Sequence, residues 1–216
     1  MPGDAAAVVQ PYERYLGRPP AAVVTDLESF CELLRKWQRV QNLVSRETLD
    51  DLWTRHVADS LQLLPLLGEF ETLLDLGSGG GLPAIPLAIA RRGANETFVL
   101  VEPNARKSSF LRAVARDLGL PVRVETRRAE EIDPEEVPSI DVITSRALAP
   151  LKELCRMAAP FFGPNTRAIL HKGREHVDEL SESRAVWHHD VVITRSVTSS
   201  DGALIELRNL RPKTVS

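Results

Sequence analysis

Cysteine is nearly absent from this chain. The two present, Cys31 and Cys155, lie far apart and outside any Cys-x-x-Cys pattern. They offer no disulfide framework, and reduced thiols in a cytoplasmic protein are expected. Histidine supplies no metal cluster: His171 and His176 are five apart, and the adjacent His188 and His189 point to opposite faces of a strand. No apolar run reaches membrane-spanning length, and the start, Met1-Pro-Gly-Asp-Ala-Ala-Ala, lacks a basic segment followed by an apolar one. Neither a membrane span nor a secretory signal is expected. A basic excess is also missing. The formal net charge of -3 argues against coating nucleic acid by charge alone, so any such role must rest on a local patch.

What is present is ordinary for a globular domain of 216 residues, 43% hydrophobic and 26% charged. One stretch stands out: Thr72-Leu-Leu-Asp-Leu-Gly-Ser-Gly-Gly-Gly-Leu-Pro-Ala84. It reads as a buried strand, a glycine turn and a helix start, where bare backbone admits a ligand and helix amides face its negative group. The dinucleotide pattern fits only if forced through Gly79, Gly81 and Ala84, in a register that begins too late after Leu76. Asp75, two residues before Gly77, makes an Asp-x-Gly-x-Gly-x-Gly run that looks like the glycine motif of class I methyltransferases; a turn-capping aspartate is the alternative. Glu102, at the end of the next strand, can accept hydrogen bonds from both ribose hydroxyls of an adenosine-bearing cofactor, or merely lie beside the Asn104 helix cap. Ala129-Glu130 follows the third strand, where class I folds usually hold the adenine edge.

Around this stretch the chain divides into a poorly ordered or lightly docked arm (1–22), a helical cap (23–68) and a catalytic domain (69–216). Capping-box spacing at Thr25–Glu28 and at Thr48–Asp51 predicts two amphipathic helices, over roughly 26–40 and from about 48 to Pro65. Strands are predicted at 72–76, 97–102, 122–126, 140–145, 167–171, 190–196 and 203–210, with helices at 84–92, 104–118, 150–159 and 174–186. The alternation implies a mostly parallel sheet with helices on both faces, and the turn signal at 199–202 predicts a closing antiparallel hairpin. The pattern looks like a Rossmann-like class I S-adenosylmethionine-dependent methyltransferase, α/β, with seven strands.

The fourth strand ends in Thr144-Ser-Arg-Ala147, where this fold faces the transferred methyl. The chain has no Asn/Asp-Pro-Pro-Tyr/Phe element for an exocyclic amine, and Cys155 shares a helix face with Leu151, Leu154 and Ala158, which makes it a core residue rather than a nucleophile. An acceptor with an exposed lone pair and no proton to lose, such as guanine N7, then needs in-line placement and exclusion of water. Arg146 is the candidate catalytic residue. It can hold guanine O6 or a phosphate, bind the cofactor's carboxylate, or form a structural ion pair.

Several segments together carry a family resemblance: Asn42-Leu-Val-Ser45, Arg55-His-Val-Ala-Asp-Ser60, Leu74–Pro83, Arg106-Lys107 with Phe110-Leu111, Ser145-Arg-Ala147 and Lys172-Gly173. From about residue 26 onward the chain resembles the bacterial glucose-inhibited division protein B family, small-subunit ribosomal RNA guanine-N7 methyltransferases. The resemblance implies that Gly77, Leu82, Ala129, Glu130 and Arg146 contact S-adenosylmethionine. It further implies a target guanine in the decoding-site loop of 16S rRNA in the small ribosomal subunit; a monomer is expected, though the sequence leaves dimerisation open. Glu102 stands where the family often has aspartate, and His171 where an apolar residue is usual. His56, one helical turn from Asp59, is expected to be a buried histidine joining cap to core. Arg127, Arg128, Lys172 and Arg174 map to the ligand edge of the sheet and are the candidate RNA-binding rim. A small-molecule methyltransferase predicts instead an enclosed pocket under the cap; a non-catalytic assembly protein is the third reading.

Overall fold

The computed structural model describes residues 5–213; residues 1–4 of the expected arm and 214–216 of the expected catalytic domain lie outside the described residues. The N-terminal helices are α1 (Ala5–Val9), a 3-10 segment at Gln10–Tyr15 and α2 (Pro20–Gln38). A 3-10 segment (Arg46–Asp51), a π-helical segment (Trp53–Ala58), α3 (Asp59–Leu61) and α4 (Leu64–Leu67) follow. Then come β1 (Thr72–Leu76), α5 (Ala84–Arg91), β2 (Thr97–Val101), α6 (Ala105–Asp117), β3 (Val122–Glu125) and β4 (Val142–Arg146). The chain ends with α7 (Leu151–Ala158), β5 (Arg167–Lys172), α8 (His176–Val186), β6 (Trp187–Arg195) and β7 (Ala203–Pro212). The sheet order is β3-β2-β1-β4-β5-β7-β6, with β7 antiparallel to both neighbours. This is the class I methyltransferase form of the doubly wound fold, and every predicted strand is present.

The side-chain period of two then decides which helices each strand residue meets. Leu73 packs in the cluster shared with the N-terminal helices, α5 and α6, whereas Leu74 and Leu76 pack on the α7–α8 side. In β4, Val142 belongs to the first cluster and Ile143 to the second; in β5, Ile169 and then Ala168 with Leu170 divide the same way. Asp75, Thr144, Arg146 and His171 therefore share the face beneath the N-terminal helices. Lys172 goes to the other.

Three local expectations differ from the structure. Residues 5–15 are helical rather than loose, with Val9 fully buried, and Gly17 N–H donates to the Ala90 carbonyl at 2.9 Å. Helix α2 begins at Pro20, not after Thr25: proline's fixed φ suits a first helical position, and Thr25 Oγ1 bonds back to the Ala21 carbonyl instead of capping. The helix expected from 48 to Pro65 is broken into four pieces. Thr48 is not its cap; its hydroxyl lies 3.0 Å from the Ser45 carbonyl and 2.8 Å from His56 Nε2. No helix among the described residues is long and apolar enough to cross a membrane.

Candidate functional site

At the C-terminal ends of β1, β2 and β4 a cleft of about 1000 Å³ opens to solvent. Its floor is the glycine turn. Gly77, Gly79 and Gly81 have φ of +69°, +54° and +82°, the left-handed region that side chains strain to enter. A Cβ on Gly81 would sit 2.5 Å from Ile85 Cγ1, whereas one on Gly79 would meet only the Gly77 carbonyl oxygen, at 3.8 Å. Gly81 therefore serves helix packing, while Gly79, which lines the cleft, keeps ligand space open. Gly81→Ala is expected to lower stability by about 1–3 kcal/mol, read by urea unfolding. Gly79→Ala carries the backbone strain without the clash, so it should cost only about 1 kcal/mol, less than Gly81→Ala, and lose cofactor affinity about tenfold or more by calorimetry; equal losses in both readouts for the two variants would refute the division.

Glu102 is 6% exposed and lines the cleft. Its Oε2 accepts from Gly79 N–H and its Oε1 from Asn104 N–H, both at 2.8 Å. A carboxylate accepts about four hydrogen bonds, so two lone pairs stay free for a vicinal diol while the backbone holds the group in place. Leu82 and Pro103 supply apolar wall. These features fit an adenosine-bearing cofactor with an apolar edge. Asp75 does not line the cleft. It is 1% exposed; its Oδ1 accepts from Thr144 Oγ1 at 2.7 Å, the two residues being register partners on β1 and β4, and its Oδ2 has no partner. Burial pushes its carboxyl up to about 6. Gly81 also stands outside the lining. So do Ala129, which packs in the α7–α8 core, and Glu130, which pairs with Arg156 at 2.8 Å.

Arg146, at the end of β4, lines this cleft and a second of about 290 Å³ that also contains Asp59, His171 and Thr198. Its guanidinium donates to Asp59 Oδ2 at 3.0 Å, to the Arg55 carbonyl at 3.2 Å and to His56 Nδ1 at 2.9 Å. Arginine only donates, so His56 Nδ1 accepts and its Nε2–H donates to Thr48 Oγ1. His56 is thus neutral, and burial, helped by Arg146, lowers its pKa to about 4. Asp59 Oδ1 accepts from Thr198 Oγ1 at 2.6 Å and Gln62 Nε2 at 2.7 Å. His171, the register partner of Arg146 on β5, donates Nε2–H to the Asp59 carbonyl at 2.8 Å. Burial lowers its pKa too. The network stitches the 53–61 helical segments to β4, β5 and the β6–β7 turn. Between the two clefts Ala147 has φ of +53°, a strained value for alanine.

The His56 shift predicts a pH dependence. A folded pKa of about 4 against 6.5 unfolded means that the unfolded chain binds more protons between those values, so this contribution weakens as pH falls from about 6.5 toward 4. The raised Asp75 pKa acts oppositely between 6 and 3.8. Comparison with His56→Gln isolates the histidine: between pH 7 and 5 the wild type should lose about 2 kcal/mol relative to the variant. A constant difference across that range would refute the neutral, buried assignment.

The candidate RNA-binding residues are not gathered on one free rim. Lys172 is turned to the α7–α8 side, where its Nζ meets Glu179 Oε2 at 2.5 Å. Arg127 is bound between Glu125 and Glu136, at 3.0 and 2.7 Å. Arg174 is exposed beside Asp201 at 3.1 Å, and Arg128 is exposed. Opposite-charge neighbours that sequence spacing does not show have claimed three of the four. Cys155 is buried beside Ser183, and burial pushes its thiol up to about 11, unsuited to nucleophilic work. Sequence reading missed Thr48, Gln62 and Thr198 as partners of His56 and Asp59; only the fold brings them together.

The family model for rRNA small subunit methyltransferase G, GidB, matches residues 24–208. The Cereibacter sphaeroides (strain ATCC 17025) ribosomal RNA small subunit methyltransferase G is 44% identical over 185 residues, covering 84% of this chain and 88% of that protein. The Bartonella tribocorum protein of the same name is 37% identical, covering 95% and 98%. Two more distant structures show the fold alone. One is a SAM dependent methyltransferase from Aquifex aeolicus (TM-score 0.57, 14% identity, covering 81% of this chain and 97% of that one). The other is a mutant of MtNAS in complex with S-adenosylmethionine (TM-score 0.56, 17% identity, covering 87% and 76%). With a family model spanning most of its length and full-length relatives at this identity, the chain belongs to the rRNA small subunit methyltransferase G family.

Proposed function

We propose that this protein is a cytoplasmic, S-adenosylmethionine-dependent methyltransferase acting on guanine N7 in the decoding-site loop of 16S rRNA. The observation that carries the reading is Arg146, the wall shared by a cleft floored by the glycine turn and a second, adjoining cleft. Gly77, Gly79, Leu82 and Glu102 would hold the cofactor in the larger cleft. When bound, it supplies a methyl group made electrophilic by its sulfonium charge.

The protein's own task is placement. Guanine N7 carries a lone pair and no proton, so no general base is needed at the β4 end. The groups there suit that: Arg146 is a donor only, and both nitrogens of His56 are engaged. Arg146 is held by Asp59 and His56, which orients its fork toward either cleft. It can donate to guanine O6 and leave N7 free. The open cleft favours a macromolecular acceptor over the enclosed pocket a small-molecule enzyme would show.

The test is transfer of labelled methyl to purified small-subunit particles and to naked rRNA, followed by borohydride–aniline cleavage at 7-methylguanosine. Label in one guanine of the decoding loop is expected. Label only in small molecules, or none, would sink the reading.

A further inference from the structure

A third depression of about 520 Å³ adjoins the cofactor cleft, sharing Asn42, Arg46 and Lys107 with it. Two stretches distant in sequence wall it: the end of α2 with the loop that continues it to Arg46, and the N-cap and first turn of α6. We propose that this depression, with Arg39, Gln41, Arg46, Arg106 and Lys107, is a phosphate-binding subsite for the RNA strand next to the target nucleotide. The proposal rests on the methyltransferase reading and adds to it where the acceptor's backbone is held.

Four cations and no acid line the depression; Asp50 enters only at the neighbouring hollow beside Arg35, Arg39 and Arg46. None of the four makes an ion pair among the described residues, whereas Arg127, Lys172 and Arg174 are all paired. Folding does not explain their placement. Arg106 and Lys107 occupy the first turn of a 13-residue helix, which has no acidic residue there and where the helix dipole disfavours positive charge. The first amides of α6 are already satisfied, since Asn104 Oδ1 accepts from Arg106 N–H at 3.0 Å and Lys107 N–H at 3.2 Å. The side chains, not the helix end, must therefore supply the attraction. Arg35 and Arg39, one turn apart on and just after α2, add like charge on the same side. A bound polyanion relieves both repulsions.

Two further observations point to a ligand. Gln41 Nε2 is buried without a hydrogen-bond partner at the depression it lines, a donor of the kind that a phosphate oxygen satisfies. The loop carrying it is also preset. Gln38 Nε2 donates to the Val44 carbonyl at 2.8 Å, while its Oε1 accepts from Leu43 N–H at 2.8 Å and Val44 N–H at 3.1 Å. A fixed loop presenting Arg39, Gln41 and Arg46 loses little entropy on binding.

The experiment uses the full chain with Arg39→Gln and Arg106→Gln combined, two positions outside the cofactor cleft. A fluorescent single-stranded RNA oligonucleotide of the decoding loop is titrated over a salt series, and KM for small-subunit particles is measured in parallel. Removing two phosphate contacts should flatten the log–log salt dependence by about 1.4 and raise KM by about tenfold, with kcat and cofactor affinity unchanged. Arg211→Gln, an exposed arginine near the end of β7, is the control and should change neither. Unchanged salt slope and KM in a folded double variant would overturn the subsite, as would an equal loss in the control. If the wild type itself does not label rRNA, it is the functional reading that fails, and the oligonucleotide titration still reports separately on the subsite.

Discussion

Replacement of Asp59 by alanine is expected to lower the free energy of unfolding by about 3–5 kcal/mol, because it strands a partly buried guanidinium. The side chains of Asp59 and Arg146 are each only 17% exposed, and they meet at 3.0 Å. The same carboxylate also takes hydrogen bonds from Thr198 and Gln62. Burial on its own raises the Asp59 pKa, but His171, Thr198 and Arg146 together hold it below the usual range, so the group is charged and well satisfied. Loss of it removes the acceptor shared by Arg146, Thr198 and Gln62 at the junction of the 53–61 segments, β4, β5 and the β6–β7 turn. Urea unfolding should show most of the loss in Asp59→Ala and less in Asp59→Asn, which keeps an acceptor. A change below about 1 kcal/mol in the alanine variant would mean that water replaces the network at no cost.

Arg146→Ala is expected to reduce methyl transfer by about 10²–10³-fold or more, the scale of removing one well-placed donor from an active site. Because the same change unpairs Asp59, stability must be measured beside activity. Arg146→Lys separates the two effects: it keeps a positive charge near Asp59 but not the planar fork that reaches Asp59, His56 and the Arg55 carbonyl together. The lysine variant should recover much of the stability and little of the transfer. Near-normal transfer in either variant would remove Arg146 from the reaction and leave it a structural ion pair.

The order of strands and helices was legible because central parallel strands must be apolar on both faces. Phe98–Val101 is a continuous apolar run and Leu73–Leu76 is broken only by Asp75 for that reason. The glycine turn was legible because three positions with positive φ demand glycine. Helix starts were less so. Thr25–Glu28 has the spacing of a capping box, yet Pro20 already opens the helix, since a cap signal competes with any compatible start upstream. The pairing of the candidate RNA-binding residues was hidden for a different reason. Basic residues at the ligand edge say nothing of their partners, and Glu125, Glu136 and Glu179 come from other elements to meet Arg127 and Lys172.

By itself, the sequence determined the fold class, the glycine-turn cleft with Glu102 at its edge, and the family, since local pattern and spacing carry all three. The tertiary structure alone decided which residues face that cleft. The two-residue period of β1, β4 and β5 buries Asp75 under Thr144, turns Arg146 and His171 together onto Asp59, and sends Lys172 to the far side. Chain pairing across about 70 to 140 residues sets that arrangement, and no local signal encodes it. The same folding left Arg39, Arg46, Arg106 and Lys107 together without acids. Mutual repulsion alone would have separated them; two anchored stretches, 38–46 and the start of α6, hold them side by side.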